Sequence, residues 1–388
     1  MPGRIASIDI LRAITMVLMI FVNDLWSLRD IPKWLEHVEQ GVDGIGLADT
    51  IFPAFLFIVG LSIPFSLDSR RAKGDTGGKL AQHVLVRTLA LLVMGVFLVN
   101  GEEINEAASG LPRLLYNTLC CTSFLLIWNA YPKAGNRRAI LFARGAGILT
   151  LVTMAITYRG GENAGYFSPK WWGILGLIGW AYGVSGLLAV VAKNDFKIVL
   201  PGWIFFCLLS MFSSAHLVPH PVFIPGAILS GTLVALTLGG VLTSLIFQHY
   251  RSRHESEKMT VVLAGFSILL IGLSLATRPY WGLSKLGATP AWLFLCSAFT
   301  ILAFLVIHRV VDVGQKAGWF TFIKPAGTDT LLCYLIPYFS YAFVSFSGIR
   351  WPEIMLTGGT GLVKAFSFAL LCVWITGRSN KIGIKLKL

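Results

Sequence analysis

His37 is the side chain in this sequence best suited to moving a proton at neutral pH. An imidazole titrates near 6.5, so it can accept and return a proton without a large shift. A single histidine on a loop is more often a plain surface residue. Glu36, Glu39, Asp43 and Asp49 are each near enough in sequence to orient its second ring nitrogen, and the sequence does not choose among them. Asn23 ends an apolar run at Val22-Asn23-Asp24, where its amide could donate to a carbonyl oxygen or cap the helix. Asp49 precedes Pro53 at the start of the next run, which suits an N-cap, and a capping carboxylate can also hold a histidine. His216 and His220 share the turn HLVPH, but two histidines without a third placed ligand do not make a metal site, and no metal is expected. His249, His254 and His308 read as interfacial residues.

A second group of candidates is ionisable and lies inside apolar runs, where charge is costly. Asp9 and Arg12 are three residues apart and share a helix face, as a structural ion pair or a functional one. Arg87 and Arg144 lie one to two turns into their runs. They could snorkel to lipid phosphates or line a pocket for an anionic ligand. Lys364 stands in mid-run with no partner evident from sequence.

The elements that must position these groups are membrane helices. Of 388 residues, 55% are hydrophobic and only 13% charged, and the mean hydropathy is +0.72. A soluble domain carries roughly 25% charged residues, so this chain could not cover a water-facing surface. The net charge of +13 does not point to nucleic acid, because the Lys and Arg sit in short gaps between apolar runs. Cys120, Cys121, Cys207, Cys296, Cys333 and Cys372 all fall within runs and read as small buried hydrophobes. The first run holds Asp9 and Arg12 and lacks a small-residue cleavage site, so a retained helix is expected.

About 20 apolar residues cross a bilayer. Twelve runs fit, centred on 8–26, 49–67, 80–99, 111–130, 139–158, 172–192, 198–215, 222–247, 259–277, 287–308, 327–346 and 354–376. The sixth and seventh, separated by little more than Lys193-Asn194-Asp195, leave ten or eleven open. With the N-terminus in the cytoplasm, inner segments hold 20 Lys and Arg and outer segments hold 7. The expected fold is therefore an all-α polytopic helical bundle of about 12 (10–12) spans with both termini cytoplasmic. No repeat divides it, so residues 1–388 are expected to form one transmembrane domain. The longest outer loop, residues 25–48, carries His37, and long loops in compact proteins are often functional.

These pieces stand in a particular order. SIDILRAITMVLMIFVND, a loop with His37, then LADTIFPAFLFIVGLSIPFS resembles the opening of the heparan-alpha-glucosaminide N-acetyltransferase family and its bacterial relatives. Ser7, Asp9, Arg12, Asn23, His37 and Asp49 match its pattern, as do Phe52, Pro53, Phe55, Phe57, Ile58, Gly60, Ser62 and Ile63. LLIWNAYPK, YWGLSKLGATPAWLFLCSAFTIL and FIKPAGTDTLLCYLIPY resemble later motifs of a bacterial subgroup at lower density. Ala13 stands where the family has Gly, Val38 where it has Ala after the His, and the W-x-G that follows is absent. The usual R-x-x-G-V-L-Q-R stretch is reduced to LPRLLYNTL.

The resemblance implies a transmembrane acyltransferase that moves acetyl from cytoplasmic acetyl-CoA to an amino sugar, or another sugar or glycan, across the membrane. His37 would act as base or acyl carrier, Asn23 would donate to the oxyanion and Asp49 would orient His37. Arg12, Arg70, Arg71, Arg87 and Arg144 are the candidates to meet CoA, and Thr289 and Tyr334 could line its slot. A bacterial inner membrane and a homodimer are implied by analogy alone. The rival from another class is a secondary transporter of a sugar or small anion, which the Gly-rich sixth run and Pro225 permit. Another acyl acceptor and a noncatalytic envelope partner complete the alternatives.

Overall fold

The computed structural model describes residues 5–132, 135–219 and 224–388; Arg4, Lys133 and His220 lie outside the described residues. Every one of the twelve apolar runs contains a helix. They are α1 (Ala6–Asp24), α2 (Leu47–Arg71), α3 (Gly77–Glu102), α4 (Arg113–Trp128), α5 (Arg137–Thr157) and α6 (Ile174–Val191). The remainder are α7 (Phe196–Ser214), α8 (Thr232–Ser252), α9 (Ser256–Trp281), α10 (Pro290–His308), α11 (Thr330–Phe346) and α12 (Gly358–Lys381). Among the described residues, β structure is limited to isolated bridges.

Ten of these helices are long and apolar enough to cross a membrane. Ten falls within the expected 10–12, and the two helices outside the ten, α4 and α11, have 16 and 17 residues. At 1.5 Å per residue they reach about 24–26 Å, short of a hydrocarbon core of about 30 Å. The eighth run is also displaced. Its first part forms a short turn at Gly226–Leu229, and the long helix begins only at Thr232. Gly231, at φ +70°, breaks the chain between them, a conformation that glycine adopts without strain.

The chain forms two compact units. The first comprises residues 5–15, 32–89 and 177–321, and the second residues 16–31, 90–176 and 322–388. In the first unit α8 is the central helix, with nearly every residue from Thr232 to Leu245 buried. Buried Thr237 and Thr243 return their hydroxyls to the carbonyls of Leu233 and Gly239 at 3.0 and 2.9 Å, which satisfies those two donors. Its main partner is α2. Association of apolar helices in lipid depends on close packing, which small residues permit. A Cβ on Gly60 would lie 1.8 Å from the Thr237 oxygen, and one on Gly240 would lie 1.9 Å from the Phe57 oxygen. The two glycines thus let the backbones meet reciprocally.

In the second unit α4 packs on α5 and on α11, and α11 on α12. The segment after α1 is tied to the start of α12 by Arg29 N–H to Leu356 O at 2.8 Å and Gly358 N–H to Arg29 O at 2.9 Å. That tie brings the end of α1 against the first turns of α12. All six cysteines are buried and free, as their positions in apolar runs predict.

Gly60→Ala and Gly240→Ala are each expected to destabilise the first unit by roughly 1–3 kcal/mol or more through overpacking. Thermal unfolding in detergent would read this, with Gly265→Ala on α9, where a Cβ meets nothing within 4 Å, as the neutral control.

Candidate functional site

Asp49 sits at the third position of α2, within its first turn, and the N-cap is Gly46. The N-cap expected at Asp49 is therefore corrected to Gly46, and Asp49 caps from inside the first turn, its carboxylate reaching back to the Gly46 N–H. Gly46 N–H donates to Oδ2 at 3.1 Å, and Asp49 N–H donates to Gly46 O at 3.1 Å. Val38 N–H gives Oδ2 a second bond at 3.0 Å. Oδ1 lies 2.7 Å from His37 Nδ1. Trp292 Nε1–H of α10 anchors the same residue through its main-chain oxygen at 3.0 Å. Of the four acids that could orient His37, Asp49 is the one placed on it.

A carboxylate accepts and does not donate, so a neutral His37 must carry its proton on Nδ1. Nε2 then holds the lone pair. The Asp49 side chain is 2% exposed and that of His37 47%, so the pair has a buried anchor and an accessible working end. Glycine is required at 46 by contact rather than by dihedral. A Cβ there would fall 1.9 Å from Glu36 O. This close approach lays the 36–38 backbone against the start of α2 and delivers His37 to Asp49.

The loop between α9 and α10 packs on the same segment. Asp43 accepts from Leu283 N–H at 2.7 Å and from Arg278 Nε–H at 3.0 Å, and Gly44 N–H donates to Leu283 O at 3.0 Å. Within that loop Thr289 is buried, and its hydroxyl oxygen accepts from Ser284 N–H at 3.1 Å. Thr289 thus holds its own loop together. Lys285, which the sequence reading passed over, places Nζ 3.3 Å from Nδ1 and 3.4 Å from Nε2 of His37. Burial lowers its pKa from the ordinary lysine value, against the opposing pull of Asp49. Leu283 and Arg278 hold the Asp43 carboxyl below the usual carboxylate range.

Asn23 belongs to the second unit. The chain continues past it through Asp24 into a 3-10 turn at Leu25–Ser27, so it is not a helix-end cap. Its side chain lines a cavity of about 1990 Å³ within that unit. Small-molecule pockets usually hold about 300–1,000 Å³, so the space exceeds one compact ligand. Tyr334, Tyr338, Arg113 and Glu102 also line it, amid a largely apolar wall from α11 and α12. Asn117 lines it as well, buried to 6% exposure and with its Oδ1 unpartnered.

Lys364 has a partner after all. Its Nζ lies 3.1 Å from Asp24 Oδ2 and donates to Ser27 Oγ at 3.1 Å. Tyr341 O–H donates to Asp24 Oδ1 at 3.0 Å. Both charged side chains are largely buried, at 14% and 4% exposure.

The arginines divide. Arg12 pairs with Asp9 at 3.2 Å and donates to Ser62 Oγ at 2.5 Å, tying α1 to α2. Arg71 pairs with Asp68 at 3.0 Å. Arg70 reaches Asp75 at 3.2 Å and His83 Nδ1 at 3.1 Å, and Arg87 adds its charge to His83 while lying 4.8 Å over the Tyr182 ring. Arg70, His83 and Arg87 therefore form one basic cluster, of which His83 escaped the sequence reading. Arg144 lies in the other unit, 5.6 Å over the Tyr131 ring. Among the described residues no group of three or more metal-ligating side chains converges.

Fold and composition together define an integral membrane protein of the all-helical class, carrying a buried-Asp, exposed-His pair on an interhelical loop. Residues 4–194 match the family model described as "Domain of unknown function (DUF5009)". The chain is 32% identical over 104 residues to heparan-alpha-glucosaminide N-acetyltransferase of Homo sapiens. It is 33% identical over 98 residues to the enzyme of the same name from Mus musculus. The matches cover 26% and 25% of this chain and 14% of the length of either relative. Over that quarter the chain is similar to the heparan-alpha-glucosaminide N-acetyltransferases, in agreement with the resemblance of its motifs.

Three outcomes follow. Gly46→Ala should displace the 36–38 backbone and separate His37 from Asp49, read as loss of the downfield Nδ1–H proton resonance. Lys364→Met leaves the Asp24 carboxylate buried without its counter-charge, at a cost of roughly 3–5 kcal/mol in thermal unfolding, and adding Asp24→Asn should recover most of it. For Asp43 the native pKa is depressed, so the loop clamp is present at neutral pH and is lost as pH falls through that lowered value. Limited proteolysis of the 36–46 segment should stay slow through pH 5 in the wild type and be fast at pH 7 in Asp43→Asn.

Proposed function

We propose that the protein is a transmembrane acetyltransferase that takes acetyl from acetyl-CoA and passes it to an amino sugar, or to another sugar or glycan, across the membrane. The observation that carries this reading is the His37–Asp49 pair at 2.7 Å, on the segment whose motifs resemble those of the named relatives. A neutral imidazole with Nδ1–H held by a carboxylate has one free nitrogen. It can remove a proton from an attacking amine or hydroxyl, or attack the thioester itself. Asp49 also stabilises the imidazolium that forms when His37 acts as base.

In this reading both termini are cytoplasmic, in keeping with the excess of Lys and Arg on that side, and the membrane is a bacterial inner membrane. The cytoplasmic basic cluster of Arg70, His83 and Arg87, with Arg71 beside it, meets the CoA phosphates. Arg12 and Arg144, each already engaged, are secondary candidates, and Thr289 supports the loop that faces His37. Tyr334 and Asn23 both line the second-unit cavity, and the Asn23 amide is the donor this reading assigns to an oxyanion. The acceptor arrives from the outer side, where the His37 loop lies. Acetyl-CoA is a cosubstrate, and the chemistry described needs no metal.

The test is transfer of labelled acetyl from acetyl-CoA to a panel of amino sugars and plain sugars in liposomes. His37→Ala should abolish transfer. Asp49→Asn should lower kcat by about 10³–10⁴-fold by releasing the imidazole tautomer. Arg70→Gln and Arg87→Gln should mainly raise the KM for acetyl-CoA. Uptake of labelled sugar without acetyl-CoA, together with no acetyl-CoA binding, would instead support a carrier. The charged pair Asp24–Lys364 in the cavity wall is the feature that favours that second reading.

A further inference from the structure

Lys285 Nζ is nearly equidistant from the two nitrogens of His37, at 3.3 and 3.4 Å. An in-plane position equidistant from both would collide with the carbon between them. The ammonium therefore lies over the ring face, beside the Nδ1–Nε2 edge. Nδ1 is committed to Asp49, so the atom left for chemistry within reach of Nζ is Nε2. The position is built. Asp43 holds Leu283 and Arg278, and Thr289 closes the loop on Ser284, so the Lys285 backbone is fixed from both sides. The charged and titratable groups bearing on Lys285 are His37, Asp49 and buried Cys296 of α10.

We propose that Lys285 is a catalytic residue of this site, its ammonium stabilising the oxyanion that forms when a carbonyl carbon reacts at His37 Nε2. The inference rests on the reading of His37 as the reacting imidazole. When His37 carries the acyl group, the Nε2 lone pair forms the N–C bond and the carbonyl π pair moves onto oxygen, beside Nζ. Collapse restores the C=O, breaks the C–S bond and releases CoA thiolate, which takes a proton from water. When His37 acts as base, the acceptor amine forms the bond to carbon, Nε2 takes its proton and the same oxyanion is stabilised; its collapse restores the C=O and breaks the C–S bond, and the proton on Nε2 passes to the departing thiolate. A fixed positive charge aimed at developing negative charge needs no reorganisation during the step. Lys285 is half-buried, so fewer waters screen its charge than on an open surface.

Diethyl pyrocarbonate tests this without acetyl-CoA or an acceptor. Its carbonyl is attacked by unprotonated imidazole through an oxyanion of the same kind, and ethyl carbonate leaves and decays to carbon dioxide and ethanol. Carbethoxylation of each histidine at pH 7 would be followed by peptide mass spectrometry. In Lys285→Met the rate at His37 should fall about tenfold or more, and Lys285→Arg should recover most of it, as expected for loss and return of a charged donor. Rates at His216, His249 and His254 should not change, which separates loss of charge from loss of fold. A His37 rate in Lys285→Met equal to or above wild type, or no recovery in Lys285→Arg, would overturn the assignment. A negative acetyl-transfer assay with this result intact would count against the reaction, not against Lys285.

Discussion

A carboxylate buried at the first turn of a membrane helix needs partners for both oxygens, and Asp49 has them. Two main-chain N–H groups and one imidazole N–H saturate it. Each of those partners belongs to the 36–46 segment, so the requirement to satisfy one buried charge organises the whole loop. The close approach at Gly46 follows from it, as does the side of His37 that remains open. Without the carboxylate, the buried Gly46 N–H would stand unpaired at a cost of roughly 1–3 kcal/mol, the Val38 N–H would lose its partner, and the imidazole would be free to rotate. Stability and chemistry here share a single group.

The second unit meets the same constraint differently. Asp24 and Lys364 neutralise one another across α1 and α12, with Tyr341 and Ser27 completing their bonds. In lipid an isolated member of such a pair would be strongly unfavourable. The tie between Arg29 and the residues flanking Thr357 sets the register in which the two helices meet. The cavity beside this pair keeps polar groups, Asn23 and Asn117 among them, inside an apolar wall. Both units therefore keep polar side chains inside the fold by pairing or by enclosure.

Much of this was legible in the sequence. The helices follow from run length and hydropathy alone, because an apolar stretch in lipid has little choice but to be helical. The candidates His37, Asn23 and Asp49 were visible through residue type and the order of motifs. Two boundaries were not. Gly231 delays α8, and α4 and α11 end after 16 and 17 residues, since hydropathy reports apolar content and not where a helix is capped. Long-range pairs were hidden for another reason. Lys285 meets His37 over 248 residues, and Lys364 meets Ser27 over 337, and no local spacing rule spans such separations. The one available signal for Lys285 was that YWGLSKLGATP carries a cation in a short loop beside a recognisable motif. Position 46 was similarly silent, because its glycine answers a contact with Glu36 that only the fold creates.

The most direct measurement is the tautomer of His37, by nitrogen NMR on protein labelled at the histidine ring nitrogens. The account predicts a proton on Nδ1 and a bare Nε2 at pH values where the ring is neutral, with that preference lost in Asp49→Asn. A neutral His37 protonated on Nε2 in the wild type, or the same tautomer with and without the Asp49 carboxylate, would contradict it.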